Sequence, residues 1–206
     1  MTLYGYWRSS STWRVRIGLA LKGLDYTNEP VNLLHSAQLG DEHRARNPMG
    51  QVPALADGDV VLTQSLPILE YLEERYPQVP LLPGSYAQRA KIRAMAEVVN
   101  SGIQPLQNLA VLKHLDTHSV DRGDWSRHWI DTGLRALESM ATGSGPFLVT
   151  DGPTLAEACL IPQLYNARRF KMDVAAYPRL AVCEAACLAL PAFQQSHPDQ
   201  QPDAVV

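Results

Sequence analysis

The sequence predicts an α/β domain over residues 1–80, followed by an all-α domain over residues 86–206. Three observations predict this fold class. Strand-like and helical patterns alternate over the first part of the chain, prolines then interrupt the pattern, and only helical periodicity follows. We therefore expect two domains joined by a short proline-rich linker.

The first domain is predicted to contain four short strands and three helices. The strands are expected at residues 2–6, 26–31, 53–56 and 60–62, and the helices at about 11–22, 36–46 and 65–75. Asp57-Gly58-Asp59 joins the last two strands as a hairpin, because Asp-Gly favours the backbone angles of tight turns. The order of these elements is typical of an α/β domain.

The second domain is predicted to contain helices over 86–115, 124–141, from about 155, and over 178–190. Pro105 lies inside the first of these and is expected to kink it. Thr154 and Glu157 have capping-box spacing and predict the helix start near 155. That helix is apolar over much of its length, which predicts a buried central position. The polar tail from Ser196 is expected to be poorly packed.

The composition argues against several classes of function. The net charge of −3 comes without a basic block, so we expect no nucleic-acid partner. No apolar run approaches the roughly 20 residues of a membrane-spanning helix, and the N-terminus lacks a signal-peptide pattern. The three cysteines fit a reducing compartment, and we expect no metal site from their spacing or from that of the histidines. These features predict a cytoplasmic protein with no membrane partner.

A cluster of hydroxyls lies between the first strand and the first helix, in the segment Arg8-Ser9-Ser10-Ser11-Thr12-Trp13-Arg14. Free N–H groups and the positive end of the helix dipole stabilise an anion at such a position, whether phosphate, carboxylate or thiolate. One hydroxyl is enough to cap a helix. The pattern alone therefore leaves helix capping and anion binding equally open.

Two further segments have features of a binding site. In Gln51-Val52-Pro53, a cis Val52-Pro53 bond would expose the backbone of Val52 for pairing with an extended peptide-like ligand. The alternative is an ordinary turn before an edge strand. At Gln64-Ser65 a second helix begins, either with Ser65 as a simple cap or with room for a carboxylate. Together the three segments fit a thiol, a peptide backbone and a free α-carboxylate, which is the layout of glutathione.

At these residues the sequence resembles the glutathione transferases, and more narrowly their zeta class. The resemblance covers nearly the whole chain. The matching segments include Arg8-Ser9-Ser10, Trp13-Arg14-Val15-Arg16-Ile17, Asn47-Pro48-Met49, Gln51-Val52-Pro53, Gln64-Ser65-Leu66 and Gly102-Ile103-Gln104-Pro105-Leu106-Gln107-Asn108-Leu109. The resemblance implies a thioredoxin-like N-terminal domain, an all-helical C-terminal domain of bundle type, and a homodimer.

The resemblance also implies which residues bind glutathione. They are Ser9, Ser10, Ser11, Gln38, Gln51, Val52, Pro53, Gln64, Ser65, Gln104 and Asn108. Ser9 is implied to donate a hydrogen bond from its hydroxyl to the glutathione thiolate. Ser10 and Ser11 are implied to line the same pocket. These three serines are the implied catalytic residues.

Other positions are implied to hold the remainder of the ligand. Val52 would pair through its backbone with the cysteinyl unit of glutathione. Gln64 and Ser65 would hold the γ-glutamyl end, and Gln38 the glycyl end.

The helical domain and two arginines complete the implied site. Gln104 and Asn108 would reach it from the helical domain, and Arg8 and Arg169 would hold carboxylates of the substrate. The residues alone leave another interpretation of Arg169 open, since Arg168 and Arg169 on a helix can simply be solvated or ion-paired.

One position departs from the class. The zeta motif usually reads Ser-Ser-Cys, and here Ser11 stands at the third place. We interpret that cysteine as auxiliary, because the thiol that reacts belongs to glutathione.

The implied activity is the glutathione-dependent cis–trans isomerisation of maleylacetoacetate to fumarylacetoacetate, a step of aromatic amino acid catabolism, by reversible thiolate addition. One alternative is the same chemistry on another small diacid, maleylpyruvate. A second is attack of the thiolate on small α-halo acids. A third, of another class, is a non-catalytic glutathione-binding interaction module.

Overall fold

The computed structural model describes residues 1–204, which form two units. The first unit comprises Met1–Leu81 and the described part of the segment that begins at Ala189, and the second comprises Leu82–Leu188. The sequence predicts a helical domain over residues 86–206. The structure instead groups the C-terminal segment with the N-terminal unit, so this unit is built from both ends of the chain.

The first unit contains a mixed four-stranded sheet in the order β2-β1-β3-β4. Its strands are β1 (Thr2–Gly5), β2 (Thr27–Pro30), β3 (Ala54–Asp57) and β4 (Val60–Thr63), and its helices are α1 (Ser10–Leu21), α2 (Asp41–Arg46), α3 (Ser65–Arg75) and α9 (Pro191–Ser196). β1 pairs in parallel with β2 and antiparallel with β3, which pairs antiparallel with β4. The parallel pair requires a crossover, and α1 supplies it.

The core of this unit joins the two central strands to two helices. It is formed by the fully buried residues Leu3, Val15, Leu19, Leu55, Ile68 and Leu72. The helical members are four residues apart within α1 and within α3, so each pair lies on one helix face. This apolar layer holds the N-terminal ends of both helices in fixed positions on the sheet.

Two glycines allow α1 to pack closely. A Cβ atom at Gly5 would lie 2.2 Å from the Thr12 side chain, and one at Gly18 would lie 2.2 Å from the Leu69 side chain. A larger residue at either position would push α1 away from β1 or from α3. The start of α1 is therefore held against the end of β1.

The helix predicted over 36–46 is shorter in the structure. Two single 3₁₀ turns, Leu33–His35 and Ala37–Leu39, precede α2. Between these turns Ser36 adopts φ 57°, in the left-handed region, and Gly40 is extended. These two residues interrupt the α-helical hydrogen-bond ladder, so the predicted helix forms only over its last six residues.

The C-terminal tail is well packed, contrary to expectation. Ser196 and Gln201 are buried. Ser196 accepts a hydrogen bond at its hydroxyl from the Trp13 ring nitrogen (3.2 Å) and at its carbonyl from Arg16 Nε (3.1 Å). The Gln201 amide donates to two backbone carbonyls of the tail. The polar composition was misleading because these polar groups are buried with hydrogen-bond partners.

The second unit is all-helical, as predicted. Its α-helices are α4 (Tyr86–Glu97), α5 (Leu109–Asp116), α6 (Arg122–Met140), α7 (Leu155–Arg169) and α8 (Pro178–Leu188). The capping box of Thr154 and Glu157 is confirmed, with both reciprocal hydrogen bonds present. α7 is buried along most of its length, which confirms its predicted central place in this unit.

The single kinked helix predicted over 86–115 is wrong. After α4 the chain forms a π-helical segment, Val98–Ile103, then a 3₁₀ segment, Gln104–Gln107, before α5 begins. Pro105 has no N–H for an α-helical ladder, and Asn108 starts a new helix by capping it. The chain therefore breaks into separate elements at the motif that resembles the zeta class.

No helix within residues 1–204 combines the length and the apolar character needed to cross a membrane. In the same part of the chain, no three His, Cys, Asp or Glu side chains form a cluster suited to a metal ion. Cys159, Cys183 and Cys187 are buried free thiols.

Candidate functional site

The hydroxyl of Ser9 lies at the N-terminus of α1. Ser9 is the N-cap residue, and its Oγ accepts a hydrogen bond from the Thr12 N–H at 3.3 Å. Its own N–H donates to the Tyr6 carbonyl (2.9 Å), which closes a tight turn before the helix. The Ser9 hydroxyl therefore caps the helix as an acceptor and retains its proton for donation to a ligand.

The adjacent serines add free donors at the same place. The backbone N–H groups of Ser10 and Ser11 have no hydrogen-bond partner within the described residues. Such N–H groups and the helix dipole favour a negative charge at this position. Capping and anion binding, which the sequence left equally open, are thus compatible in this geometry.

Arg8 places a positive charge beside the serines. Its guanidinium lies over the Trp7 ring, 5.2 Å from the ring centroid. It forms no hydrogen bond or ion pair with any residue from 1 to 204, and it is partly exposed. The ring contact leaves its N–H groups available for a carboxylate.

The Val52-Pro53 bond is cis. Neither the N–H nor the carbonyl of Val52 has a hydrogen-bond partner in the described part of the chain, and the β3 ladder begins only at Ala54. A partly exposed peptide group with both its donor and its acceptor free is suited to pair with an extended ligand.

Two buried residues hold the segment in front of Val52. The carbonyl of Gln51 accepts hydrogen bonds from His43 Nε2 and Asn47 Nδ2, each at 2.8 Å. His43 and Asn47 are both almost fully buried. Our sequence analysis did not assign this role to either residue. The available signal was Asn47 in the motif Asn47-Pro48-Met49, whereas no motif contains His43.

Gln38 lies beside this segment. A Cβ atom built on Gly50, whose φ is +60°, would lie 3.2 Å from the Gln38 carbonyl oxygen. The side-chain oxygen of Gln38 is buried and has no hydrogen-bond partner within residues 1–204. The backbone of Gln38 therefore lies next to Gly50, the residue before Gln51 and Val52.

The second helix N-terminus differs from the predicted one in its cap. α3 begins at Ser65 as expected, but Gln64 is the N-cap residue, with φ 69° and no side-chain capping bond. The Ser65 hydroxyl is buried and accepts a hydrogen bond from Arg14 Nη1 at 3.1 Å. Ser65 is thus not a simple cap, because a buried arginine orients its hydroxyl.

Gln104 and Asn108 lie at the two ends of the 3₁₀ segment, where it follows the π-helical segment and where it gives way to α5. Gln104 opens the 3₁₀ segment and is partly exposed. Asn108 caps α5, with its side-chain oxygen accepting from the Ala110 N–H at 3.0 Å. The amide nitrogen of Asn108 is the group that remains for a ligand.

The two arginines at the end of α7 have different partners. Arg168 makes two hydrogen bonds to the Glu184 carboxylate, each at 2.5 Å, and this pairing raises the pKa of Arg168. Arg169 is exposed and donates to the Asn166 side-chain oxygen at 3.2 Å. The ion-pair interpretation therefore applies to Arg168, and Asn166 orients Arg169.

The helical unit contains a buried pair of glutamine side chains that the sequence did not predict. Gln107 Nε2 donates to Gln163 Oε1 at 2.5 Å, and both side chains are buried. The bond connects the 3₁₀ segment to α7, three residues before Asn166. It joins the two parts of this unit that carry the implied ligand residues.

Comparison with known proteins agrees with this geometry. The family model for the glutathione S-transferase N-terminal domain matches residues 1–74. The maleylacetoacetate isomerase of Rattus norvegicus is 47% identical over 204 residues, covering 98% of this chain and 94% of the rat protein.

Solved structures are similar over the whole chain. A bacterial maleylpyruvate isomerase described as a zeta-class glutathione transferase, in its holo form, has a TM-score of 0.96 at 40% identity and covers 100% of both chains. A maleylacetoacetate isomerase from Anaeromyxobacter dehalogenans, solved with glutathione in its active site, has a TM-score of 0.91 at 52% identity. That match covers 99% of this chain and 97% of the other.

Proposed function

The chain belongs to the zeta class of the glutathione transferases, and on this premise we propose that it uses glutathione to isomerise maleylacetoacetate to fumarylacetoacetate. The observation that carries the proposal is the arrangement at Arg8 and Ser9. A hydroxyl with a proton available for donation lies at a helix N-terminus, directly after an arginine whose one contact within residues 1–204 is with a ring. Ser9 can therefore bind an anionic nucleophile, and Arg8 can bind an anionic substrate.

The polar groups of the first unit fit a glutathione molecule. The unpaired peptide group of Val52 fits its backbone, and the unpartnered side-chain oxygen of Gln38 fits an N–H of its glycyl end. Ser65, oriented by Arg14, and Gln64 fit its γ-glutamyl end. When bound, glutathione supplies a thiolate nucleophile to the reaction.

The first task of the protein is to favour the ionised thiol. Ser9 donates a hydrogen bond from its hydroxyl to the thiolate, and the N–H groups of Ser10 and Ser11, which have no partner within residues 1–204, add positive potential from the helix N-terminus. Each of these effects stabilises the anion over the neutral thiol and lowers the thiol pKa. Ser11 contributes mainly through its backbone, which is why the usual cysteine is dispensable here.

The second task is to hold a small diacid. Arg8 binds one of its carboxylates, because a guanidinium can donate two parallel hydrogen bonds to one carboxylate. From the family resemblance we assign the other carboxylate to Arg169, and we assign Gln104 and Asn108 to glutathione. We further propose a homodimer in the cytoplasm, on the strength of the family resemblance.

The decisive experiment is an assay of the purified protein with glutathione and maleylacetoacetate, run beside maleylpyruvate and a small α-halo acid. We expect the highest kcat/KM with maleylacetoacetate, and we expect no turnover of any substrate when glutathione is left out. Maleylpyruvate is the second candidate, favoured by the similarity to the solved maleylpyruvate isomerase. Glutathione binding with no turnover of any substrate would contradict the proposal and favour a non-catalytic module.

A further inference from the structure

The turn that presents Ser9 is short and carries both Arg8 and Ser9. The Ser9 N–H donates to the Tyr6 carbonyl, so Trp7 and Arg8 are the two central residues of the turn. The orientation of the Trp7 peptide groups therefore determines where the Ser9 hydroxyl and the Arg8 guanidinium lie.

Both polar groups of the Trp7 backbone are held by side chains from elsewhere. The Trp7 N–H donates to Asp203 Oδ2 at 3.0 Å, across a separation of 196 residues. The Trp7 carbonyl accepts from Arg16 Nη2 at 2.7 Å. The turn is thus clamped between a helix residue and the C-terminal tail.

Arg16 also binds the tail itself. Its Nε donates to the Ser196 carbonyl at 3.1 Å, so one guanidinium connects the tail to the turn. Arg16 is buried, and this burial lowers its pKa to about 10, while the charge of Asp203 acts in the opposite direction. Arg16 therefore stays charged at neutral pH, and the Asp203 carboxylate lies in its favourable field.

We propose that Asp203 is a positioning residue for the catalytic turn: by accepting the Trp7 N–H it fixes the Ser9 hydroxyl for thiolate stabilisation. The inference rests on the proposed role of Ser9. It assigns a function in catalysis to the last described part of the chain, which contacts the turn at the Trp7 N–H. Loss of the acceptor would leave the buried Trp7 N–H without a partner and release the turn.

The test compares Asp203→Ala with Asp203→Asn. Asp203 Oδ1 has no hydrogen-bond partner within residues 1–204, so an amide nitrogen can replace it while the asparagine oxygen still accepts the Trp7 N–H. Asp199→Ala is the matched control, because Asp199 is an exposed acid of the same tail that pairs only weakly with His197.

Two measurements separate positioning from general stability. Amide hydrogen exchange in the protein without glutathione should accelerate at Trp7 by about tenfold in Asp203→Ala. The pKa of the thiol of bound glutathione, measured from the absorbance of the thiolate, should rise by about one unit in the same variant. Asp203→Asn and Asp199→Ala should match the unaltered protein in both.

The inference is overturned if Asp203→Ala leaves the Trp7 exchange rate and the thiol pKa unchanged, or if Asp203→Asn is as impaired as Asp203→Ala. If the unaltered protein shows no thiolate with bound glutathione, the proposed function of Ser9 fails instead. The exchange measurement still decides whether Asp203 holds the turn, so the two failures are distinguishable. If Asp203→Ala does not fold, Asp203→Ser, whose side chain is too short to accept the Trp7 N–H in the same place, takes its position in both measurements.

Discussion

Arg14 donates from its buried guanidinium to the hydroxyl of Ser65, and thereby joins the first turns of α1 and α3 across 3.1 Å. These are the two helix starts that we propose to bind the thiolate and the γ-glutamyl end of one ligand. A guanidinium is rigid and planar, so it fixes the direction of the hydroxyl as well as the distance. The affinity for glutathione should depend on this pair although Arg14 itself is buried.

Replacing Arg14 by lysine tests this relationship. The charge remains but the planar fork is lost, so the Kd for glutathione should rise by about tenfold. Calorimetric titration measures the change. In a double-mutant cycle with Ser65→Ala the two effects should be far from additive, since both remove one hydrogen bond. Full additivity would mean that the two side chains act independently.

Replacing Ser9 by alanine should lower kcat by about 10²–10³-fold, because one preorganised donor to the reacting anion is removed. The lost cap should cost only about 1 kcal/mol of the free energy of unfolding, so the variant should fold. Steady-state kinetics and thermal unfolding check both expectations. Ser11→Ala, which keeps the backbone N–H, should lose less than about tenfold. Equal losses in the two variants would contradict the special role of Ser9.

Replacing Arg169 by alanine should raise KM for the diacid by about tenfold or more and leave the Kd for glutathione unchanged. Arg168→Ala is the matched control on the next residue, since Arg168 is engaged by Glu184. It should alter neither constant. If Arg169→Ala weakens both ligands together, the arginine has a structural role.

Asp131 should contribute to the free energy of unfolding of the helical unit, and this contribution should depend on pH. A hydrogen bond from Arg135, and a second from the Tyr177 hydroxyl, lower the pKa of Asp131. A carboxyl whose pKa is lower in the folded state stabilises the fold above its unfolded pKa of about 3.9, and this contribution is lost as the pH falls.

Asp131→Asn should therefore be less stable than the unaltered protein at pH 7, and the difference should shrink as the pH approaches about 3. Denaturant unfolding at several pH values measures this difference. A difference that stays constant over the whole range would show that the charge of Asp131 is not involved.

The sequence predicts best those features of the fold that depend on residues close together in the chain. The start of α1 at Ser9 and the capping box at Thr154 depend on residues three positions apart, and the structure contains both. The break at Val98–Ile103 was not predictable in this way. Its residues are compatible with an α-helix, and only the packing of the helical unit and the missing N–H of Pro105 select another geometry.

The same division applies to the candidate site. Ser9, Val52 and Ser65 could be predicted as site residues because each lies in a recognisable local segment, and their roles stay predictions. The role of His43 was missed because its partner is a backbone carbonyl. Every residue has such a carbonyl, so the residue types do not indicate which one a side chain binds. Asp203 was missed because its partner, the N–H of Trp7, is distant in sequence, so a polar tail looked merely solvated.

The pairing of Asp203 with Trp7 also has a consequence for the order of events during synthesis. The strand, turn and helix that carry Ser9 leave the ribosome early, and the acceptor for the Trp7 N–H follows only 196 residues after Trp7. The helical unit is complete before the N-terminal unit has all of its parts. A chain that stops before Asp203 would thus retain every implied ligand residue and still lack a finished catalytic turn.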